Sequence, residues 1–377
     1  MSARVAESAN AAAIAGVGAG AGVGASAGVG AGARYRSAGF TLLELLVAIT
    51  LSCTIFAAVL GIYAGARGTY RANERVARLQ EQGRFALAII EPDVELAGYY
   101  GFTRTPEAVR FVHGASPNTT LATAAQLRQF PLSPGDPLPA PVTALPATAH
   151  ACGINFAVDV TAPVQGSNNT FALGRGATCT AYQAHPQIRS DTLTLRRVET
   201  AAANPDAGRI QVYASRLAGG ASHLMFADGK APGVIDADHR IHNFVVRAYY
   251  VSRDSVGQSG FPALRVKTLT RSGAAASFVD DEVMPGVEDL QVQFGVDADT
   301  AGSATRYVNP DFADLQRLQV FAVRIWLRLR ADEPEAAFDD TATYRYGDIV
   351  YTPSATERRF RRVVMSRTIT LRNARVR

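Results

Sequence analysis

The chain changes its hydrophobic pattern three times. Ser8 to Ala33 is almost entirely Ala, Gly, Val and Ser, uncharged and without period, and cannot form an ordinary core. From Phe40 to Tyr63 the sequence is apolar with one charge, Glu44. At about 1.5 Å per residue this run forms a helix long enough to cross a hydrocarbon core of roughly 30 Å. Arg34 and Arg36 precede it, which leaves the start cytoplasmic and sends the remainder across the membrane. Thr69 to Ile90 then carries Tyr70, Val76, Leu79, Phe85, Ile89 and Ile90 among polar residues at a spacing near 3–4, the pattern of an amphipathic helix continuing the span. Ala57, Gly61 and Gly65 stand four apart, a stripe that permits close helix packing. Pro92 predicts a kink or restart and Gly98 a stop.

Beyond Gly98 the period shortens toward two. Thr192–Val198, Ile210–Ala214, Asn243–Ser252, Ala263–Thr270, Glu288–Val296, Val320–Arg330 and, more weakly, Arg362–Leu371 read as strands. In Val320–Arg330, Phe321, Val323, Ile325, Leu327 and Leu329 share one face, and Arg324, Trp326, Arg328 and Arg330 share the other. This predicts a half-buried strand of an antiparallel sheet. The proline-rich stretch Pro131–Pro146 predicts a surface loop. The fold class is α+β: a long amino-terminal helix on a large, antiparallel β-rich head.

Composition alters this picture little. With 377 residues and 47% hydrophobic content the chain can bury a real core. A formal charge of +5 does not imply a nucleic-acid binder. Only Lys230 and Lys267 are lysines, a bias that a GC-rich genome explains.

Two features set the apolar run apart from a secretory signal. The small pair Ala38-Gly39 lies before the run, whereas a signal peptide is cut after it. Glu44 would cost roughly 2.5–3.5 kcal/mol near a membrane centre and so calls for a partner. A cut after Gly39 would supply one, because the new amine of Phe40 lies one helical turn from Glu44. Gly39-Phe40-Thr41-Leu42-Leu43-Glu44 ahead of an apolar helix resembles the processing site of type IV pilins and type II secretion pseudopilins. The resemblance implies that a prepilin peptidase cuts after Gly39, that Phe40 becomes the methylated amino terminus and that Glu44 guides subunit docking. The leader, 1–39, is longer than the short basic leaders of the family. GTG codons at Val17, Val23 or Val29 could supply another start, and one at Val29 would leave a leader of usual length.

Four further blocks narrow the resemblance to PilW-type minor pilins: Glu95–Gly101, Ser190–Leu195, Met284–Gly295 and Thr368–Asn373. This implies a pilin-like fold in three parts: leader 1–39, helix 40–97 and periplasmic head 98–377. It also implies a non-enzymatic subunit that primes pilus assembly at or near the tip. The implied partners are the prepilin peptidase, other minor pilins, the major pilin, a tip adhesin and the inner-membrane assembly platform. The expected location is the inner membrane, single-pass, and then the pilus fibre. The alternatives are a type II secretion minor pseudopilin and, from another class, an anchored periplasmic enzyme or binding protein.

Little else in the sequence carries chemistry. Cys53 lies in the span, which leaves Cys152 and Cys179 in the exported head, where an oxidising compartment favours a disulfide over two buried thiols. Gly24-Ala25-Ser26-Ala27-Gly28 has the spelling of a nucleophile elbow but no strand before it. The evenly spaced glycines miss the dinucleotide fingerprint. Asp236, Asp238, His239 and His242 are the nearest approach to a metal set, and read better as a polar turn before the Asn243 strand. Asp297, Asp299 and Gly302 have part of a calcium-loop spacing, but Ala301 stands where a ligand is needed. Arg358, Arg359, Arg361 and Arg362 could meet DNA phosphates and read better as a solvated strand end, so DNA is not expected as a partner. No cofactor, metal or catalytic set is expected.

Overall fold

The computed structural model describes residues 39–103, 109–112, 120–123, 152–174, 177–217, 223–273, 275–299, 301–336 and 338–374. Residues 1–38, with the Gly24–Gly28 motif, and the proline-rich stretch lie outside them. Helix α1 runs from Leu42 to Glu95. The chain divides into two units, 1–64 and 65–377, so α1 contributes to both.

In the first unit no described residue is buried, and α1 reaches a mean hydropathy of 2.5 over eighteen residues. It is long and apolar enough to cross a membrane. In the second unit α1 becomes one-sided. Leu79, Gly83, Ala86, Leu87, Ile90 and Val94 form its buried stripe. Two of the expected apolar positions fall outside the stripe: Tyr70 is 73% exposed and Phe85 56%. Pro92 does not break the helix. Its missing N–H would have faced the carbonyl of Ala88, and both residues lie on the exposed side, where water can replace that bond. Gly98 adopts φ +77° and donates its N–H to the carbonyl of Arg196 at 2.9 Å, ending the turn in a conformation suited to glycine.

The larger of two main sheets has nine strands. In chain order they are β1 (Val109–Val112), β2 (Thr120–Thr123), β3 (Val164–Ser167), β4 (Thr192–Val198), β5 (Gln211–Ser215), β6 (His223–Phe226), β7 (His239–Ser252), β8 (Ala263–Ser272) and β9 (Ala275–Pro285). Their spatial order is β2-β1-β6-β5-β7-β4-β3, with β8 on β7 and β9 on β8, and only the β1–β6 pair is parallel. The second sheet is antiparallel and follows the order β11-β10-β12-β15, from β10 (Val287–Val296), β11 (Arg306–Val308), β12 (Val320–Arg330) and β15 (Arg362–Thr370). A hairpin of β13 (Tyr344–Tyr346) and β14 (Ile349–Tyr351) completes the strands.

The α1 stripe shares one core with inward residues of both sheets, among them Leu193, Leu195, Tyr249, Leu290, Phe294, Ile325 and Leu327. A second core gathers Tyr100, Phe156, Val212, Phe244, Val246 and Tyr250. The two-sided burial of β4 and β10 follows from lying between such layers.

At its carboxyl end α1 is locked by charge. Asp93, 1% exposed, accepts Arg197 Nε and Nη2 on one oxygen at 3.0 and 2.9 Å. Its other oxygen accepts Arg247 Nη1 at 2.9 Å and the Tyr249 hydroxyl at 2.6 Å. These bonds tie the helix to β4 and β7. Arg372 donates its backbone N–H to the carbonyl of Glu95 at 2.9 Å and bridges that residue's carboxylate at 2.7 Å, securing the segment after β15 to the same turn.

Strand β12 is half-buried as its alternation predicts, with Arg324, Trp326 and Arg330 partly exposed, except at Arg328. Val323, Ile325, Leu327 and Leu329 are buried, but so is Arg328 on the opposite face. Arg328 donates to Glu288 at 3.0 Å and to the Tyr346 hydroxyl at 2.6 Å. Arg362 joins the same network through Glu288 and Asp340 with its side chain fully buried. Of the four arginines expected at a solvated strand end, Arg362 is therefore withdrawn from any phosphate, and Arg361 is bridged to Glu335 at 2.7 Å.

Candidate functional site

The amino-terminal end of α1 is built around Thr41. Its hydroxyl accepts the Glu44 N–H at 3.2 Å, while the Glu44 carboxylate accepts the Thr41 N–H at 2.9 Å and hydroxyl at 3.1 Å. This reciprocal pair is a capping box, which satisfies two of the donors left free at a helix start. Thr41 is thus the partner of Glu44 in the uncut chain. Its signal was present in the spelling Thr-x-x-Glu ahead of an apolar run, which the motif reading above passed over. Gly39 and Phe40 precede the helix in open surroundings. Nothing lies within 4 Å of a Cβ placed on Gly39, and Phe40 is 88% exposed. Gly61 and Gly65 are likewise open, and Ala57 shares their exposed stripe.

The two head cysteines form a disulfide, Cys152–Cys179. Thr178 N–H also bonds to the Cys152 carbonyl at 2.8 Å. The short helix α2, Ile154–Val158, follows directly. The fully buried Arg196 guanidinium holds this segment by donating to the Phe156 carbonyl at 2.6 and 3.1 Å and the Ala162 carbonyl at 2.8 Å.

The remaining candidate clusters disperse. His239 and His242 both fall within β7, three residues apart and so on opposite faces. His239 pairs with Asp236 at 2.7 Å. His242 is buried, with Nδ1 at 2.9 Å from the Glu199 carbonyl. The expected turn is therefore shorter, ending at Asp238. The Asp297 carboxylate accepts the N–H groups of Asp299, Ala301 and Gly302, and so organises its own loop. Partial desolvation there is outweighed by these backbone donors, which hold Asp297 below the usual carboxylate range.

The sequence blocks that stood far apart meet in pairs. Ser190 Oγ accepts the Leu290 N–H at 3.1 Å, and Asp191 accepts the Val292 N–H at 2.8 Å, joining the Ser190–Leu195 and Met284–Gly295 blocks. The Glu95–Arg372 contacts join the other two.

Two family models match the chain. Residues 34–60 match the prokaryotic N-terminal methylation motif, and residues 248–373 match the type IV pilus-assembly protein W model. The two matches support a type IV pilin of the PilW type. The PilW match runs from the second half of β7 through β15, and so takes in both sheets and the Glu288–Arg328–Arg362 network. A solved type IV-like pilin from Thermus thermophilus is 15% identical over 50% of this chain and 80% of that one, at a TM-score of 0.26, too low to bear on the fold. No curated protein matches. Pilin nature implies interaction with the prepilin peptidase and with other pilus components.

Proposed function

We propose that this chain is a minor pilin that primes type IV pilus assembly and enters the fibre at or near its tip, after cleavage behind Gly39 and methylation of Phe40. The observation that carries this reading is the open end of α1. An unencumbered Gly39-Phe40 bond precedes a capped helix, and no described residue of the first unit is buried. An apolar surface of that extent needs either lipid or other helices, and a pilin helix meets the two in succession.

Glu44 has a defined part in this sequence of events. Before docking, its carboxylate is occupied by Thr41. In the fibre, the cationic amine of a neighbouring subunit offers a charge-assisted partner in place of a neutral one. The stripe of Ala57, Gly61 and Gly65 leaves room for helices to approach, and the disulfide closes a head that is to work outside the cytoplasm. The head is to reside in the periplasm while the span holds the subunit in the inner membrane.

The test is maturation and assembly together. Replacing Gly39 with valine leaves uncleaved precursor in the membrane. Replacing Glu44 with alanine permits cleavage but stops recovery of the subunit in sheared pili. Normal maturation of the Gly39 variant, or normal incorporation of the Glu44 variant, contradicts the reading. Deletion is expected to abolish twitching with type II secretion intact, and the reverse outcome assigns the chain to the pseudopilus.

A further inference from the structure

The larger sheet ends at β3, which pairs with β4 and, among the described residues, has no strand on its other side. The Pro163 carbonyl accepts the Arg196 N–H at 2.9 Å, and Gln165 stands opposite Thr194. In an antiparallel ladder the residues that alternate with such positions, Val164 and Gly166, turn their N–H and C=O groups away from the partner strand. Among the described residues no hydrogen bond reaches those outward groups. Free edges are commonly blunted by charge. Strand β9 carries Asp281 and Glu282 at another border of the same sheet, and β15 carries Arg367. Strand β3 reads Val-Gln-Gly-Ser, with neither charge nor proline.

A cavity of about 440 Å³ is lined by all four residues of this strand. Its other walls include Gly98 after α1, Phe312, Leu315 and Leu318 of the β11–β12 connection, and Leu371 beyond β15. The volume lies within the range of ligand sites, roughly 300–1,000 Å³. Two of the lining residues hold a buried amide atom without a hydrogen-bond partner, Gln165 Oε1 and Asn373 Nδ2. One is an acceptor and the other a donor, and buried polar groups are rarely left so. The single charged residue of the lining, Asp311, accepts Asn168 Nδ2 at 3.2 Å. These features select the occupant. A hydrocarbon chain would suit the apolar walls but leave every polar group unpaired, and an anionic ligand would find no cation. An extended peptide supplies N–H and C=O groups at strand spacing, with side chains that alternate between the walls and the mouth.

We propose that β3 takes an uncharged, extended peptide segment of a partner polypeptide into this cavity as an added strand. The outward N–H and C=O groups of Val164 and Gly166 pair with its backbone, and the Gln165 and Asn373 amides bond to its remaining peptide groups. The inference stands on the second unit alone and is independent of the membrane reading of α1.

The experiment titrates the full, detergent-solubilised chain with the dye-labelled peptide acetyl-Ala-Val-Ser-Val-Ala-amide and follows fluorescence anisotropy. A second peptide, methylated on the backbone nitrogens of both valines, keeps the side chains but cannot complete a ladder. The first peptide is expected to bind and the methylated one to bind at least about tenfold more weakly. Val164→Pro removes an outward N–H without touching a bond to β4, which an edge strand tolerates, and should weaken binding by about tenfold. Gln165→Met removes the unpaired acceptor and should weaken binding about threefold with no loss of stability in urea, which keeps the test open if the proline variant fails to fold. Hydrogen exchange gives the location: binding slows exchange in segment 163–167. No binding of the first peptide at millimolar concentration overturns the proposal. Equal binding of the methylated peptide also overturns it, because the cavity would then read apolar side chains and not an added strand. Protection of β15 in place of β3 overturns it as well, moving the docking edge to the smaller sheet.

Discussion

Asp93 is the residue at which the helix and the head depend most sharply on each other. Replacing it with alanine removes the acceptor of two guanidiniums and one phenol. Tyr249, fully buried, has no route to water and Arg197, with a side chain 13% exposed, has little, while Arg247 at 35% can recover part of its hydration. Breaking a buried ion pair on one side costs about 3–5 kcal/mol. The partial exposure of Arg247 places this case near the lower end, at about 3 kcal/mol. With a urea dependence of about 3 kcal/mol per molar, the unfolding midpoint moves down by roughly 1 M. The single tryptophan, Trp326, sits in β12 and reports unfolding of the head by fluorescence in the full, detergent-solubilised chain. Glu91→Ala is the control. Its bridge to Arg367 lies at the surface, with the arginine side chain 46% exposed, and its loss costs less than about 1 kcal/mol. If Asp93→Ala shifts the midpoint no more than Glu91→Ala, the buried clamp is not what fastens the helix. Asp93→Leu combined with Arg197→Leu is expected to recover part of the loss, because an apolar pair leaves one buried charge fewer without a partner.

Reducing the Cys152–Cys179 disulfide opens a loop with a sequence separation of 27, worth about 3.5 kcal/mol on the chain-entropy model; urea midpoints with and without reductant measure it, and no difference refutes it. Gly83→Ala forces a Cβ into the Met365 side chain and to 3.1 Å from Leu329 Cδ1, so it should cost about 1–3 kcal/mol by the same assay, despite alanine's better helix propensity. Burial, reinforced by the nearby charges of Asp289 and Asp348, pushes Asp191 up to about 8 against the N–H donors of Asn169 and Val292. A carboxyl raised in the folded state contributes stability that is complete below its unfolded value near 4 and is lost as pH rises toward 8. The stability of Asp191→Asn should therefore vary less than wild type between pH 5 and 8, and parallel curves would refute the assignment.

The span, the strands with clean alternation and the processing motif were legible because each is set by local pattern. Val320–Arg330 agrees with β12 at both ends, since one strand's period suffices to mark it. What the pattern concealed was set by partners distant in sequence. Strand β9 contains Asp280-Asp281-Glu282, a run that reads as a loop. It is a strand because register places Lys267 opposite Asp280 and Arg265 opposite Glu282, and Asp280 is bonded to Lys267 at 2.7 Å and Arg265 at 2.9 Å. The helix stripe was misread at Phe85 for a related reason. Hydrophobicity alone favours phenylalanine, but the helix face that turns inward there carries Gly83, against Met365 of β15 and Leu329 of β12, while Phe85 stays exposed. Arg328 and Arg362 looked like solvent-facing charges because their partners, Glu288 and Asp340, lie at least 22 residues away.

A physical division of labour follows from where these long-range contacts fall. No described residue of the first unit is buried, and its described end is organised by a capping box closed within three residues. Its surface is left available to whatever surrounds it. The head instead places its buried carboxyl groups at joints. Asp93 fastens α1 to β4 and β7, Asp191 fastens the start of β4 to β10, and Glu288 gathers β12 and β15. Each joint uses a carboxyl group that accepts several donors, a geometry that resists displacement because moving one element leaves buried polar groups unmatched. Within the second unit, Asp93 is one of the contacts through which α1 is coupled to β4 and β7. The four sequence blocks that marked the chain as PilW-like meet beside these joints, at Asp191–Val292 and Glu95–Arg372.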